Sequence, residues 1–369
     1  MNAAGLEGIV AGSTAVSSIA GKLLYRGYSI EELSQHSDFE ETAYLLLHGE
    51  LPTGAELSAF RSRLGANYAL PPQVVDVLRL IPKNAPFMDA MRTGASVLAH
   101  FDPDVNDDSP AADLRKAERL TAQLPTVLAT VLRLRSGRSP AAPDAKLGIA
   151  ENLLTQIHDR KPDAAAVRAL NVSLILYAEH EFNASTFTAR IVASTLADLH
   201  SAVTAAIGAL KGPLHGGANE RVLEVLEEVG SPANAEAWIR RALAEKRKIM
   251  GFGHRVYKDG DPRTGILDPL CAELAAATGQ TDLETTAATI AQVVRAEKKL
   301  PPNADWPSAR LYHYLGLPVE IYTPLFVVAR VTGWCAHIME QHQNNRLIRP
   351  MAEYTGAAER HYAPIATRG

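Results

Sequence analysis

The stretch Phe39–Pro52, FEETAYLLLHGELP, carries apolar side chains at helical spacing and ends in Gly49 and Pro52. Glycine just past a periodic run stops a helix, and proline shortly beyond cannot continue it. The same grammar repeats outward in both directions. SIEE (Ser29–Glu32) and TGAE (Thr53–Glu56) both have capping-box spacing, a hydroxyl residue three positions before a glutamate. PPQVVDVLRLIP (Pro71–Pro82) is a helix bracketed by prolines, and ERVLEVLEEVGSP (Glu220–Pro232) sets Val222, Leu223, Leu226 and Val229 on one face. Alternating β patterns are almost absent, and no repeat period or low-complexity linker interrupts the chain. These patterns predict an all-α fold of many short and medium helices.

With 369 residues, 47% of them hydrophobic, the chain can bury a substantial core and is long enough for two domains. From Gly217 to Gly316 the texture changes. Charged helices (AEAWIRRALAEKRKIM), a glycine-rich basic loop (MGFGHRVYKDGDPRTG) and a Pro/Asn loop (LPPNADWPSAR) follow one another. This segment, 217–316, reads as a smaller helical domain inserted into a larger one made of 1–216 and 317–369. The net charge is only −4, so no basic excess points to nucleic acid. Cys271 and Cys335 have no metal-ligand spacing and form no disulfide framework, which fits a reducing compartment and core packing. The N-terminus has no basic region, Glu7 breaks its early apolar run, and no run of 18 apolar residues exists. The expectation is a cytoplasmic protein with no membrane span.

Three of the twelve histidines have unusual neighbours: His180 in YAEHEFNASTFTAR, His215 in GPLHGGANE and His254 in GFGHRVYK. Each reads either as a capping, packing or surface residue, or as a reactive group in a loop where glycine lets a ligand approach the backbone. Asp305, in PPNADWPSAR, has two readings as well. It is the N-cap of a helix with Pro307 just inside, or a desolvated carboxylate beside Trp306 suited to proton transfer. Arg255, Lys258 and Arg263 crowd the His254 loop, Arg346 and Arg349 lie in NNRLIRP, and Arg330 sits in the apolar run LFVVARVTGW. A charge there needs a partner, either an internal carboxylate or a ligand. Arginine forks together with histidines suit a small dicarboxylate. HEFNA lacks the second histidine of a zinc motif, and GFGH neither matches G-x-G-x-x-G nor follows a strand.

At this point the chain resembles the short, bacterial-type citrate synthases, and nearly as closely the 2-methylcitrate synthases. The resemblance runs from LLYRGYSIEELSQHSDFEETAYLLLHGELPT through EHEFNASTFTAR, GALKGPLHGGANE, GFGHRVYKDGDPR and PNAD to TPLFVVARVTGWCAHIMEQHQNNRLIRP. It implies an all-α homodimer in which a smaller domain closes over substrate. It implies that His215 and Asp305 are the enolising pair and that His254 acts on the oxaloacetate carbonyl. By the same resemblance His180, Arg263, Arg330 and Arg349 bind oxaloacetate, with Arg349 contributed in trans. Lys258 would contact a coenzyme A phosphate, and the backbone of Gly251, Phe252 and Gly253 would lie along the adenine. No metal and no cofactor is implied beyond acetyl-CoA as co-substrate. The long helix LFVVARVTGWCAHIMEQ, too apolar to face solvent all round, is expected to lend part of its surface to the dimer core.

One departure from the family pattern is Trp306–Pro307 after the catalytic aspartate, where many citrate synthases have another aromatic and then tyrosine. Tryptophan there is shared with the 2-methylcitrate branch, which leaves acetyl-CoA and propionyl-CoA both open. The longer NADH-regulated enzymes carry an extra N-terminal domain with no match in this sequence, so that regulation is not expected. Two other classes are weighed: a metal-dependent hydrolase using the His/Asp set, and a helical scaffold without activity. Intact His215, His254 and Asp305 argue against the second.

Overall fold

The structure is a computed structural model that describes residues 4–6, 8–254 and 256–368. Arg255, and Glu7 in the N-terminal reading, lie outside the described residues. Helices dominate, as expected. They are α1 (Ile30–His36), α2 (Phe39–His48), α3 (Gly54–Ala66), α4 (Pro72–Leu80), α5 (Phe87–Ala99), α6 (Pro110–Arg135), α7 (Ile149–His158) and α8 (Ala164–Tyr177). Then follow α9 (Ala184–Ala193), α10 (Leu199–Leu210), α11 (Ala218–Val229), α12 (Pro232–Ala244), α13 (Pro262–Thr278), α14 (Thr281–Lys298), α15 (Asp305–Tyr314) and α16 (Tyr322–Gln343). No helix among the described residues is long and apolar enough to cross a membrane.

The helix boundaries fall where the sequence chemistry puts them. Gly49 closes α2 with φ 94°, a left-handed conformation that favours glycine. At α3 the capping box is complete: Thr53 accepts from the Glu56 N–H while Glu56 accepts from the Thr53 N–H. At α1 only half of it forms, with Ser29 accepting from Glu32. A small antiparallel sheet was not legible. It has three strands of two residues, β1 (Ser17–Ser18), β2 (Leu24–Tyr25) and β3 (Tyr28–Ser29). The β2–β3 turn has positive φ at both Arg26 and Gly27, the signature of a two-residue hairpin. The sheet delivers Tyr25, whose buried hydroxyl sits 3.0–3.3 Å from the backbone of Ile175, Leu176 and Glu179 and so pins the end of α8.

Helix α16 is the axis of the molecule. It packs against α2, α5, α6, α8, α9 and α10, and its residues from Tyr322 to Met339 are buried apart from half-exposed Phe326. This corrects one expectation. The apolar surface of α16 is covered by its own chain, so it leaves no face for a dimer core. Helices α11 to α15 pack mainly on one another, with α12 against α14 and α13 against α15; α13 and α15 also touch α8. Both cysteines are unpaired and buried.

Candidate active site

A cleft of about 640 Å3 opens between the α8–α9–α16 side and the α13–α15 side. Its lining includes His180, His215, His254, Arg263, Asp305 and Arg330, six residues singled out from distant parts of the sequence.

Asp305 is the first residue of α15, not its N-cap. Ala304 holds the cap position and makes no side-chain cap, while Asn303 Oδ1 accepts from the Asp305 N–H at 3.0 Å. The capping reading of Asp305 is therefore replaced. Its carboxylate instead faces the cleft and accepts from the Tyr177 hydroxyl at 3.2 Å. Burial pushes its pKa up to about 6, against the opposing pull of Arg263. Tyr177, at the last turn of α8, is shared with Ser308 at 2.9 Å.

His215 lies in the turn before α11. Its Nε2 accepts from the Ser185 N–H at 3.3 Å and lies 2.8 Å from the Ser185 hydroxyl. A nitrogen that accepts from an amide carries no proton, so the neutral ring bears its proton on Nδ1. Burial lowers its pKa to about 4, and Arg330 adds to the effect. Ser185 is itself fixed by Asn183, the N-cap of α9, and by the Trp334 indole N–H at 3.1 Å. The glycine after His215 serves the turn more than a ligand: a Cβ on Gly216 would lie 2.4 Å from the Leu210 carbonyl oxygen.

His254 has the opposite tautomer. Its Nδ1 accepts from the Val256 and Tyr257 N–H groups at 3.1 and 3.2 Å, so Nε2 carries the proton. Burial and then Arg263 hold its pKa below the usual histidine range. His180 stands beside it, with ring centroids 5.4 Å apart, and its Nε2 is buried with no partner. Burial keeps His180 neutral as well, its pKa well below the ordinary value.

Two cations face this set. Arg263 is gripped by Asp261 in a fork, Nε to Oδ1 at 2.9 Å and Nη2 to Oδ2 at 2.7 Å. Burial alone would discharge Arg263, but Asp261 raises its pKa and keeps it ionised. Asp261 also caps α13 and accepts from the Ala304 N–H at 3.1 Å, tying Arg263 to the Asp305 loop. Arg330 is almost wholly buried on α16 and donates from Nε to the Tyr177 carbonyl at 2.7 Å. Among the described residues it forms no ion pair within 4 Å, so the internal-carboxylate reading gives way to a charge turned toward the cleft.

The 251–253 backbone is zipped to 301–303. Gly253 donates to Pro301 at 2.8 Å, Asn303 donates to Gly251 at 2.9 Å, and Asn303 Nδ2 donates to Gly253 at 2.8 Å. Gly251 has φ 85°, and a Cβ there would strike Trp306 and Val222 at 2.9 Å. Trp306 is buried beneath Phe252, ring centroids 4.6 Å apart, and does not line the cleft. Gly251 and Phe252 border a separate groove of about 430 Å3 that also has Arg247, Lys248 and Lys298 on its walls. Two residues expected in the site lie apart from the cleft. Lys258 is exposed, its Nζ 3.4 Å from the His254 carbonyl oxygen. Arg349 is exposed on the extended segment after α16. Among the described residues no three His, Cys, Asp or Glu side chains are grouped to hold a metal ion.

The sequence reading missed Tyr177, Ser185 and Asp261. Only Asp261 left a local trace, an Asp-Pro pair that signals a helix N-cap.

Known proteins share this arrangement along the whole chain. A family model described as citrate synthase, C-terminal domain, matches residues 5–351. Citrate synthase 2 of Bacillus subtilis is 46% identical over 366 residues, covering 99% of this chain and 98% of that protein. 2-Methylcitrate synthase 2 of Corynebacterium glutamicum is 45% identical over 372 residues, covering 99% and 97%. A solved ternary complex of carboxymethyl coenzyme A and oxaloacetate with citrate synthase from Thermoplasma acidophilum superimposes with a TM-score of 0.92. It is 34% identical and covers 99% of each chain. Fold and sequence together define a condensing transferase, an all-α enzyme. The chain belongs to the citrate synthase family.

Proposed function

We propose that the cleft condenses oxaloacetate with acetyl-CoA and hydrolyses the resulting citryl-CoA to citrate and free coenzyme A, the entry step of the tricarboxylic acid cycle. The observation that carries this reading is the opposed tuning of Asp305 and His215. One is a carboxylate made more basic by burial; the other is a neutral imidazole with a free Nδ1–H. Asp305 takes a proton from the thioester methyl group. As the C–H bond breaks, charge moves onto the thioester oxygen, and His215 Nδ1–H donates to it. Arg263, Arg330 and His180 hold the oxaloacetate carboxylates and keep its carbonyl against the enolate carbon. The carbon–carbon bond forms, and His254 Nε2–H protonates the new alkoxide. Water then cleaves the thioester. Base, donors and cations are all side chains of the protein, so the reaction as written calls on no metal and no cofactor besides the acyl-CoA.

In this reading 217–316 is the small domain and 1–216 with 317–369 the large one. Lys258, with Gly251, Phe252 and Gly253, contacts the coenzyme, and the basic groove beside Phe252 supports that placement. Arg349 completes the site of the other subunit in a homodimer. Its position outside its own cleft supports this, as does an exposed tail carrying Leu347, Met351, Tyr354 and Tyr362. The proposed place of action is the cytoplasm.

The alternative acyl group is propionyl, giving 2-methylcitrate. Relatives of both kinds stand at nearly equal identity, and one methylene in an apolar pocket is worth only about 1–3 kcal/mol. Oxaloacetate-dependent thiol release with each acyl-CoA tests both. A higher kcat/KM for acetyl-CoA supports citrate synthesis, and a higher value for propionyl-CoA moves the assignment to 2-methylcitrate. No oxaloacetate-dependent release with either would overturn the reading.

A further inference from the structure

Behind the loop that carries His215 lies a second cavity, of about 740 Å3, which shares no lining residue with the cleft. Arg135 at the end of α6 and Lys83 before α5 form one wall. Gly217 and Glu220 at the start of α11, with Glu320 and Thr323 leading into α16, form another. The guanidinium of Arg135 lies 3.8 Å from the centre of the Phe87 ring, and its Nη2 is buried with no hydrogen-bond partner. Among the described residues neither Arg135 nor Lys83 forms an ion pair. Lys211, a third cation on the rim, is already held by Asp89 at 2.7 and 2.8 Å. Glu220 is occupied by the Thr323 hydroxyl, and Glu320 is exposed. The cavity therefore offers two unsatisfied cations, one with a fork nitrogen turned away from water, and no carboxylate placed to answer them.

We propose that this cavity binds a small multivalent oxyanion, carboxylate or phosphate, as an effector. A buried fork nitrogen without an acceptor is costly, and an oxyanion bridging Arg135 and Lys83 removes that cost with charge-assisted hydrogen bonds. The location gives such a ligand leverage. Gly217 and Glu220 lie where the chain enters the α11–α15 group, and Glu320 and Thr323 where it leaves it. Thr323 also donates to the carbonyl of Gly216, next to His215. An occupant touches both crossings at once, so it biases how the two helical groups sit and shifts oxaloacetate affinity, with the reciprocal effect that linkage requires. Anion binding itself does not depend on the proposed chemistry of the cleft; the shift in oxaloacetate affinity does.

The test uses the full-length enzyme with the cleft first filled by saturating oxaloacetate and coenzyme A. Heat from that first titration reports separately on the proposed reading of the cleft. Inorganic pyrophosphate and glutarate are then titrated by calorimetry, one as the phosphate-type and one as the carboxylate-type probe. The expected result is saturable binding of at least one probe, and the stronger binder names the class. Arg135→Gln and Lys83→Gln should each weaken that binding at least about tenfold. Without the probe both variants should keep kcat within about twofold of wild type. The bound probe should change the oxaloacetate KM of the wild type and leave that of Arg135→Gln unchanged. Lys83 is exposed and unpaired, so its variant stays informative if Arg135→Gln folds poorly. No binding of either probe up to about 10 mM, or binding by the Lys83→Gln variant equal to wild type, overturns the proposal.

Discussion

Asp305→Asn should make the protein more stable and nearly inactive, and the two effects should have different pH dependences. The cause is the same burial that lifts the carboxyl pKa from 3.8 to about 6. That lift means the folded state disfavours the ionised form by about 3 kcal/mol. The sign follows from proton counting. Below pH 4 the group is protonated both folded and unfolded, and nothing is lost. Between about 4 and 6 the folded chain holds a proton that the unfolded chain has released, so stability falls as pH rises. Above about 6 the full cost is present. Asparagine keeps the shape and the acceptor for Tyr177 and never ionises.

The stability gained by the substitution should therefore be about 3 kcal/mol at pH 8, and about half of that at pH 5. Unfolding entropy of about 2.1 cal/mol/K per residue over 369 residues converts this to a rise in Tm of about 4 °C at pH 8 and about 2 °C at pH 5. Differential scanning calorimetry of the ligand-free protein at the two pH values measures it. Turnover should drop about 10²–10⁴-fold, the usual loss for a positioned base. In the wild type, kcat/KM should fall tenfold per pH unit below about 6, as the base becomes protonated. A variant less stable than wild type at pH 8, or a gain that does not change with pH, would refute the desolvation argument. Turnover within tenfold of wild type would refute the role.

Two further outcomes are expected. Asp261→Asn removes the charge that holds Arg263, so it should raise the oxaloacetate KM about 10–100-fold while kcat at saturation changes less, and steady-state kinetics separates the two. Arg349→Ala should raise the oxaloacetate KM through the loss of about 2–5 kcal/mol of anchoring; purified heterodimers of Arg349→Ala with Asp305→Ala should regain up to one working site per dimer, and no gain over either parent would place Arg349 in cis.

What could be read from the sequence was what is local. The Thr53–Glu56 box and the Gly49 stop are written in four or five consecutive residues, and the helices stand where those residues put them. The three reactive histidines were visible because glycine or an N-cap asparagine flanks them. What escaped was set by distance along the chain. Tyr177 meets Asp305 across 128 residues, Asp261 meets the Ala304 amide across 43, and Ser185 fixes the His215 tautomer across 30. No periodicity encodes such pairs, so the tautomers and the raised pKa of Asp305 were beyond reach. The sheet escaped for another reason: strands of two residues cannot show alternation. Helix α16 misled because an apolar helix buried by its own chain and one buried by a partner have the same composition.

The hydrogen bonds also say how the proposed chemistry is apportioned. Asp261 binds Arg263 and the Ala304 amide at once, and the 251–253 backbone is paired with 301–303, so His254, Arg263 and Asp305 are joined as one unit. His215, through Ser185, Asn183 and Trp334, belongs to α9 and α16, the elements that also carry Arg330 and lie next to His180. The base and the enolate donor thus ride on different units, and so do the carbonyl donor and most of the carboxylate anchors. Neither unit alone can complete a proton transfer. In the proposed reading oxaloacetate bridges them, drawing Arg263 and His254 toward Arg330 and His180, and only then do Asp305 and His215 face one thioester. The Tyr177 hydroxyl on Asp305 is the one direct hydrogen bond described here from the α8–α9–α16 side to the catalytic carboxylate. That bond leaves the second carboxylate oxygen for the substrate proton. An acyl-CoA that arrives first meets a base without its partner donor, which protects the thioester from enolisation until its acceptor is in place.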